Sequence, residues 1–205
     1  MNAKDDGNLH GNVPDTCAVA LLLIDVINDF EYPGGEALFR HALPAAERIA
    51  ALKAHARRHN IPVIYVNDNF GKWRADRHRL VRHCLEDGVR GEPVVRLLAP
   101  DEDDYFVLKP KHSGFYATPL DLLLAHLKAT TLILTGFAGD NCVLLTASDA
   151  FLHDFHIIIP PDCTASIERA ENEHALRYAA RVFKAETIVS PELDLEALTR
   201  QAPAR

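Results

Sequence analysis

Three residues of reactive types stand at or just after apolar runs of the sequence. Asp25 follows AVALLLI, Lys109 follows YFVL, and Cys142 lies a few residues after TLILT. If these runs are strands of one parallel sheet, their carboxyl ends meet at the edge where such sheets bind ligands. The spacing therefore predicts covalent catalysis by Cys142, with Asp25 as its base and Lys109 holding both charges in place. The backbone N–H groups of Ala138 and Cys142 are the expected oxyanion donors.

The segment around Cys142 changes period from strand to helix. Thr131–Thr135 is apolar and β-branched, Gly136–Asp140 is typical of a turn, and helical spacing starts at about Asn141. The N–H groups and the dipole at a helix start favour an anion, so we expect the Cys142 thiol to titrate below the free value of about 8.5. The alternative interpretation is a small, buried core cysteine.

Composition narrows the class of protein. The chain has 205 residues, 48% of them apolar, which suits one domain with a sizeable core. The net charge of −7 argues against a nucleic-acid partner. No apolar run approaches the roughly 20 residues of a membrane span, and the first residues lack a signal-peptide layout, so we expect a cytoplasmic protein with no membrane partner. Residues 1–16 are polar and predict a flexible N-terminal leader, followed by one domain over residues 17–205.

Apolar strand-length runs alternate with helical patterns along the chain. This order predicts an α/β fold, a single Rossmann-like three-layer sandwich with about six parallel strands and helices on both faces. Runs without alternation indicate strands buried on both sides. The predicted strands are Ala18–Ile24, Val63–Val66, Tyr105–Leu108, Thr131–Thr135, His156–Ile159 and Thr187–Val189. The main predicted helices are Pro44–Asn60, one capped by Thr118, one from about Asn141, Ile167–Ala185 and Leu193–Gln201.

Four ordered motifs resemble the isochorismatase-like cysteine hydrolase superfamily, which includes nicotinamidases and N-carbamoylsarcosine amidases. The motifs are LLLIDVINDF, VLKPKHSGFYATPLD, LILTGFAGDNCVLLTASDAF and PPDCTAS, and the likeness spans about residues 19–189. The resemblance implies hydrolysis of a small amide-type C–N bond through a thioester by a triad of Asp25, Lys109 and Cys142, without a cofactor. It also implies a cis peptide at Phe137–Ala138 and a homo-oligomer, either a dimer or a tetramer.

Two positions depart from the family pattern. Nicotinamidases of the family bind a metal through Asp-x-His and further histidines, whereas this chain has Asp68-Asn69-Phe70 at that place. His78 and His83 are nearby but loosely spaced, so we expect no metal. The usual threonine of the nucleophile loop is Gly139 here, which predicts a loop that is more open or differently hydrogen-bonded.

The motifs also place a substrate pocket and leave two other functions open. By motif position, the expected substrate-binding residues are Phe30, Asn69, Trp73, His112 and Asn141, and aromatic walls suit a small, flat or partly apolar substrate. True isochorismatases hydrolyse a vinyl ether and typically lack the cysteine nucleophile, so the retained cysteine favours acyl chemistry. A catalytically idle binding or interaction protein on the same fold is the third possibility, and the intact triad argues against it.

Overall fold

A computed structural model describes residues 16–71 and 74–201. Its centre is a six-stranded parallel sheet. The strands are β1 (Val19–Ile24), β2 (Val63–Asp68), β3 (Tyr105–Lys109), β4 (Thr131–Phe137), β5 (His156–Ile158) and β6 (Thr164–Ala165). Their spatial order is β3-β2-β1-β4-β5, and β6 pairs with the carboxyl end of β4. The predicted α/β class and parallel sheet are confirmed.

Helices cover both faces of the sheet. They are α1 (Gly35–Arg58), α2 (Arg77–Glu86), α3 (Glu92–Leu97), α4 (Leu120–Leu127), α5 (Leu144–Leu152), α6 (Arg169–Val182) and α7 (Leu195–Gln201). Helices α1, α2, α3 and α7 bury apolar side chains on one face, and α4, α5 and α6 do so on the other. Strand β1 supplies both cores, since Leu21 and Leu23 point to the first and Leu22 and Ile24 to the second.

The last predicted strand, Thr187–Val189, is wrong. The chain makes only an isolated bridge between Ile158 and Glu186 there, and β6 takes the sixth place in the sheet. The Asp162 carboxylate accepts hydrogen bonds from the Ser190 N–H at 2.8 Å and the Ser190 hydroxyl at 2.6 Å. These bonds direct the segment after Glu186 into a short 3-10 turn rather than along the sheet.

Helix α1 is longer than its predicted range Pro44–Asn60. It begins at Gly35 and continues through Pro44, and the turns before the proline bury Leu38 and Ala42 in the core. Tertiary packing therefore outweighs the local cost of a proline inside a helix. Helix α3 had no sequence prediction, and the predicted leader lies outside the described residues except for Thr16.

Among the residues that the structure describes, no helix combines the length and apolarity needed to cross a membrane.

Candidate active site

The three predicted catalytic side chains lie together at the carboxyl edge of the sheet. Asp25 directly follows β1, and Lys109 is the last residue of β3. Cys142 lies in a single π-helical turn, Gly139–Val143, which connects β4 to α5. Because β1 is flanked by β2 and β4, the Asp25 carboxylate stands between the strand ends that carry the other two groups.

Lys109 contacts both of its predicted partners. Its Nζ atom lies 2.9 Å from Asp25 Oδ2 and 3.6 Å from Cys142 Sγ. The Lys109 side chain has no exposed surface, and the Asp25 and Cys142 residues are each only 6% exposed. The second carboxylate oxygen, Asp25 Oδ1, accepts the Asp68 backbone N–H at 2.7 Å, which fixes the orientation of the carboxylate. The three groups therefore form one buried, connected unit.

Burial and mutual contact shift the pKa of each group. Burial raises the pKa of the Asp25 carboxyl, although the Lys109 ammonium beside it works in the opposite direction. Burial would lower the pKa of Lys109, but the charges of Asp25 and Cys142 outweigh it and the pKa is raised. Burial, followed by the Asp25 carboxylate, raises the pKa of the Cys142 thiol well above its ordinary value.

The lowered thiol pKa predicted from the helix start is therefore wrong. The N–H groups and dipole of a helix favour an anion by a modest amount. At Cys142 this effect is smaller than the desolvation of a sulfur atom that is nearly enclosed and faces a carboxylate. The resting Cys142 side chain is a neutral thiol in contact with Lys109, which also binds Asp25.

The prediction of a cis peptide bond before Cys142 is wrong. No peptide bond in the described ranges is cis, so the bond at Phe137–Ala138 is trans. Ala138 instead adopts a left-handed conformation, with φ 52° and ψ 55°, and this reverses the chain after β4. Its carbonyl accepts hydrogen bonds from the Asn141 N–H at 2.9 Å and the Val143 N–H at 3.3 Å. The tight turn thus places Ala138 next to Cys142 without the strained bond.

The comparisons with known proteins show the family of this chain. A family model of the isochorismatase domain matches residues 19–190. The chain belongs to the isochorismatase family. It is 41% identical over 174 residues to the isochorismatase family protein YaaI of Bacillus subtilis, a match that covers 85% of this chain and 95% of YaaI. The family resemblance inferred from the motifs is confirmed.

Two further relatives of this isochorismatase-family chain have named activities. Ureidoacrylate amidohydrolase RutB of Methylobacterium radiotolerans is 30% identical over 176 residues, covering 73% of this chain and 68% of RutB. The crystal structure of N-carbamoylsarcosine amidase from Thermoplasma acidophilum matches with a TM-score of 0.67 at 29% identity, covering 86% of this chain and 98% of the amidase. Members of the family are hydrolases, amidohydrolases among them, and this chain is an isochorismatase-family hydrolase.

Of the five predicted substrate-binding residues, three lie close to the triad. His112 is exposed, and its Nδ1 atom is 3.8 Å from Cys142 Sγ. Asn141 is half-buried and directly precedes the nucleophile. Asn69 follows β2 at the same sheet edge, where its N–H donates to the Lys109 carbonyl and its Oδ1 atom accepts the Gly71 N–H.

Of the other two predicted binding residues, the structure describes only Phe30. Phe30 has no exposed surface and packs in the core against Phe39 and Phe137, at centroid distances of 5.6 and 5.7 Å. Its side chain therefore supports the loop after β1 from within the core. Trp73 lies outside the described residues.

A cavity opens beside the triad of this isochorismatase-family hydrolase. Its volume is about 300 Å³. Its lining residues are Lys111, His112, Ser113, Tyr116, Leu145 and Asp149. His112 lines the cavity and its Nδ1 atom lies 3.8 Å from Cys142 Sγ, so one side chain separates the cavity from the sulfur atom.

Two residues near the triad were absent from the predicted site. Asp68 is the last residue of β2, and its Oδ2 atom lies 3.5 Å from Lys109 Nζ. Because it stands at the carboxyl end of a strand, as the triad residues do, the sequence could have predicted it. Tyr32 lies on the loop after β1, where its hydroxyl accepts a hydrogen bond from Asn28 Nδ2 at 3.3 Å. Burial raises the pKa of Tyr32, the Asn28 hydrogen bond opposes this, and the charges of Asp25, Asp29 and Cys142 add to the rise. Only the loop conformation reveals this position.

The residues at the position of the family's metal site do not fit a metal centre. The Asp68 carboxylate faces the Lys109 ammonium, and its other oxygen accepts the Phe70 N–H. His83 is held by Asp87 at 2.7 Å and Asp29 at 3.3 Å. Across residues 16–71 and 74–201, no group of three or more histidine, cysteine or acidic side chains could hold a metal ion.

Proposed function

We propose that this protein hydrolyses a small amide-type C–N bond through a covalent thioester on Cys142. The observation that carries the proposal is the double contact of Lys109, whose buried ammonium touches both the Asp25 carboxylate and Cys142 Sγ. A thiol nucleophile needs a group that takes its proton and a charge that stabilises the thiolate. The described site offers both within one hydrogen-bonded unit. The names of the amidohydrolase relatives support the same reaction class.

In the first step, Asp25 takes the thiol proton as Cys142 Sγ attacks the substrate carbonyl carbon. Burial raises the pKa of Asp25, so this carboxylate holds a proton more readily than an exposed one would. Lys109 remains protonated and stabilises the thiolate as it forms. The carbonyl oxygen becomes an oxyanion, which the backbone N–H groups of Ala138 and Cys142 bind.

In the second step, the C–N bond breaks and Asp25 returns its proton to the leaving nitrogen. Ammonia or an amine departs, and the acyl group remains on Cys142 as a thioester. Water then attacks the thioester carbon, with Asp25 taking one water proton. Collapse of this second tetrahedral species releases the carboxylic acid and gives the proton back to Cys142 Sγ.

The proposal also carries expectations about the whole protein. The cavity of about 300 Å³ beside His112 suits a small substrate. The proposed steps require no cofactor, and we propose a cytoplasmic homo-oligomer, a dimer or a tetramer. Size-exclusion chromatography with light scattering measures the mass directly, and a monomer would contradict this expectation.

The first test replaces the proposed nucleophile. Primary carboxamides, ureido acids and isochorismate are screened with the unmodified protein, Cys142→Ala and the control Cys17→Ala. We expect turnover of an amide or ureido acid, a fall of about 10⁴-fold or more in kcat for Cys142→Ala, and no change for Cys17→Ala. Intact mass spectrometry on the slow substrates should show the acyl adduct on Cys142.

The other outcomes separate the rival functions. Amide turnover retained by Cys142→Ala contradicts the thioester mechanism. Turnover of isochorismate alone assigns vinyl ether hydrolysis, and tight binding of a screened compound without turnover assigns the idle binding protein.

A further inference from the structure

A chain of buried polar groups connects α6 to the turn that carries Cys142. The Asp140 N–H donates to Ser166 Oγ at 3.0 Å, and the Ser166 hydroxyl donates to Asn172 Oδ1 at 3.0 Å. Asn172 Nδ2 donates in turn to Thr164 Oγ1 at 3.1 Å, and the Thr164 hydroxyl donates to the Pro161 carbonyl. Each hydroxyl both accepts and donates, so the hydrogen bonds run in one direction. We call Thr164, Ser166 and Asn172 the Asn172 relay.

The members of the Asn172 relay are almost inaccessible to solvent. Asn172 is 8% exposed, Ser166 1% and Thr164 7%. Hydrogen bonds of this kind, in a low-dielectric interior, are costly to break and hold their partners in one arrangement. The relay therefore fixes the Asp140 amide relative to α6 and β6.

Gly139 fits against the same asparagine. A Cβ atom at position 139 would lie 2.0 Å from Asn172 Oδ1 and 3.3 Å from Ser166 Oγ. The backbone of Gly139 is not left-handed. A glycine is therefore required here because a side chain would have no room, and not because of an unusual backbone conformation. The Asn172 amide fills the place that a side chain at position 139 would need. The space beside Gly139 is therefore filled, and the Asp140 N–H next to it is bound by Ser166.

The contacts of the Asn172 relay fall in the middle of the proposed catalytic turn. Gly139 and Asp140 lie between Ala138 and Cys142, whose N–H groups are the proposed oxyanion donors. A shift of the turn would move both donors and the sulfur atom together. Misplacement of reacting groups by about 1 Å can cost about 100-fold in rate.

We propose that Asn172 is a positioning residue for the nucleophile turn: its contact with Gly139 and its hydrogen bond through Ser166 to Asp140 hold Cys142 and the oxyanion donors in register. This inference rests on the proposed cysteine chemistry at the same turn. Asn172 does not touch the reacting atoms, and it acts through the backbone of residues 139–140.

The test is a double-mutant cycle of Asn172→Ala, Gly139→Ala and the double variant. Asn172→Ala removes the amide, and Gly139→Ala inserts a methyl group against it. We expect each single change to lower kcat by about 10-fold or more, with KM changed less than about 3-fold. In the double variant the methyl group enters the vacated space, so kcat should recover to within about 10-fold of the unmodified protein instead of the roughly 100-fold loss that additivity gives.

A second readout needs no substrate. Iodoacetamide labelling of Cys142 is followed against pH by peptide mass spectrometry. In the single variants the turn relaxes, and the thiol gains solvent and moves from Asp25, so the labelling midpoint should fall toward the ordinary thiol value. The double variant should restore the higher midpoint in part. Thr130→Ala is the matched control, since it removes one buried hydrogen bond, to the Ala18 carbonyl, at the opposite end of β4.

The outcomes distinguish this inference from the proposed function. If Asn172→Ala and Gly139→Ala lower only the melting temperature, as Thr130→Ala should, and leave the labelling profile and kcat unchanged, the positioning role is overturned. Should Asn172→Ala not fold, Ser166→Ala carries the same test because it removes the tie to Asp140 and leaves Asn172 in place. If no amide is hydrolysed but the labelling midpoints shift as expected, the proposed reaction fails and the positioning of Cys142 stands.

Discussion

The Lys109 side chain has no exposed surface and yet carries its charge among two carboxylates and a thiol. A buried ammonium is costly unless it is paired, and here Asp25 and Asp68 supply the pairing. Burial raises the pKa of Asp25, and the Lys109 ammonium beside it limits that rise. Stability and the proposed chemistry therefore depend on one side chain.

Replacing Lys109 by methionine should make the stability of the fold depend strongly on pH. The variant leaves Asp25 buried without its cation, which costs about 3–5 kcal/mol at neutral pH. Without Lys109 the burial of Asp25 raises its folded pKa further above the unfolded value of about 3.9. A group with a raised folded pKa stabilises most below the unfolded pKa, and this stability is lost as the pH rises through the folded pKa. The deficit should therefore be smallest near pH 4 and grow toward pH 7.

Urea unfolding of Lys109→Met at pH 4 to 8 measures this dependence. Lys111→Met is the matched control, because Lys111 is an exposed lysine two residues along the chain. The control should match the unmodified protein at every pH. A deficit of equal size across the range would show that Asp25 is not the group left unpaired.

At the scale of elements, helix α2 holds the loop that follows Asp25. His83 of α2 binds Asp29 of that loop at 3.3 Å and Asp87, the residue directly after α2, at 2.7 Å. Arg90, in the segment after α2, donates to the Phe30 carbonyl, and its N–H donates to Glu31. The loop that leads to Tyr32 is therefore held in place by α2 and by Arg90, which follows this helix.

We expect this attachment to weaken as the pH rises above neutral. The hydrogen bond to Asp87 raises the pKa of His83, burial opposes it, and Asp29 adds to the rise. The stabilisation is present below about pH 6.5 and is lost as the pH passes through the raised folded pKa. Hydrogen exchange of residues 28–32, corrected for intrinsic exchange, should show more protection at pH 6 than at pH 8, and His83→Gln should remove the difference. His78→Gln, at an exposed position of the same helix, should keep it, and identical protection in all three proteins would contradict the attachment.

At the scale of the whole molecule, the sequence predicts features with a local pattern and misses those that join distant segments. The continuous apolar runs predict five of the strands because strands of a parallel sheet are buried on both faces. Ligands bind at the carboxyl ends of parallel strands, and this rule correctly predicts that Asp25, Lys109 and Cys142 lie close together. The two-residue strand β6 has no pattern of its own, and the fit of Gly139 against Asn172 joins residues that lie 33 positions apart. The raised pKa of Cys142 depends on the depth of burial, which spacing does not encode.

Two lysines are buried among the residues that the structure describes, and they lie at opposite edges of the sheet, so one can be changed without the other. Lys53 of α1 binds Asp101 at 2.9 Å and Asp104 at 2.8 Å just before β3, whereas Lys109 ends that strand. The Asp104 side chain is 3% exposed, and Arg57 also binds it, at 2.7 Å. This cluster joins α1 to the amino edge of the sheet, away from the proposed active site.

Lys53→Met should therefore destabilise the fold and leave the site intact. Because Arg57 still pairs with Asp104, we expect a loss of about 2 kcal/mol in the free energy of unfolding, below the 3–5 kcal/mol typical of a fully broken buried pair. Arg57→Met should cost less, about 1 kcal/mol, since its side chain is 38% exposed. Urea unfolding measures both losses. The iodoacetamide labelling profile of Cys142, taken where each variant is fully folded, should match the unmodified protein. A shifted profile in Lys53→Met would mean that the two edges of the sheet are coupled through α1 and β3.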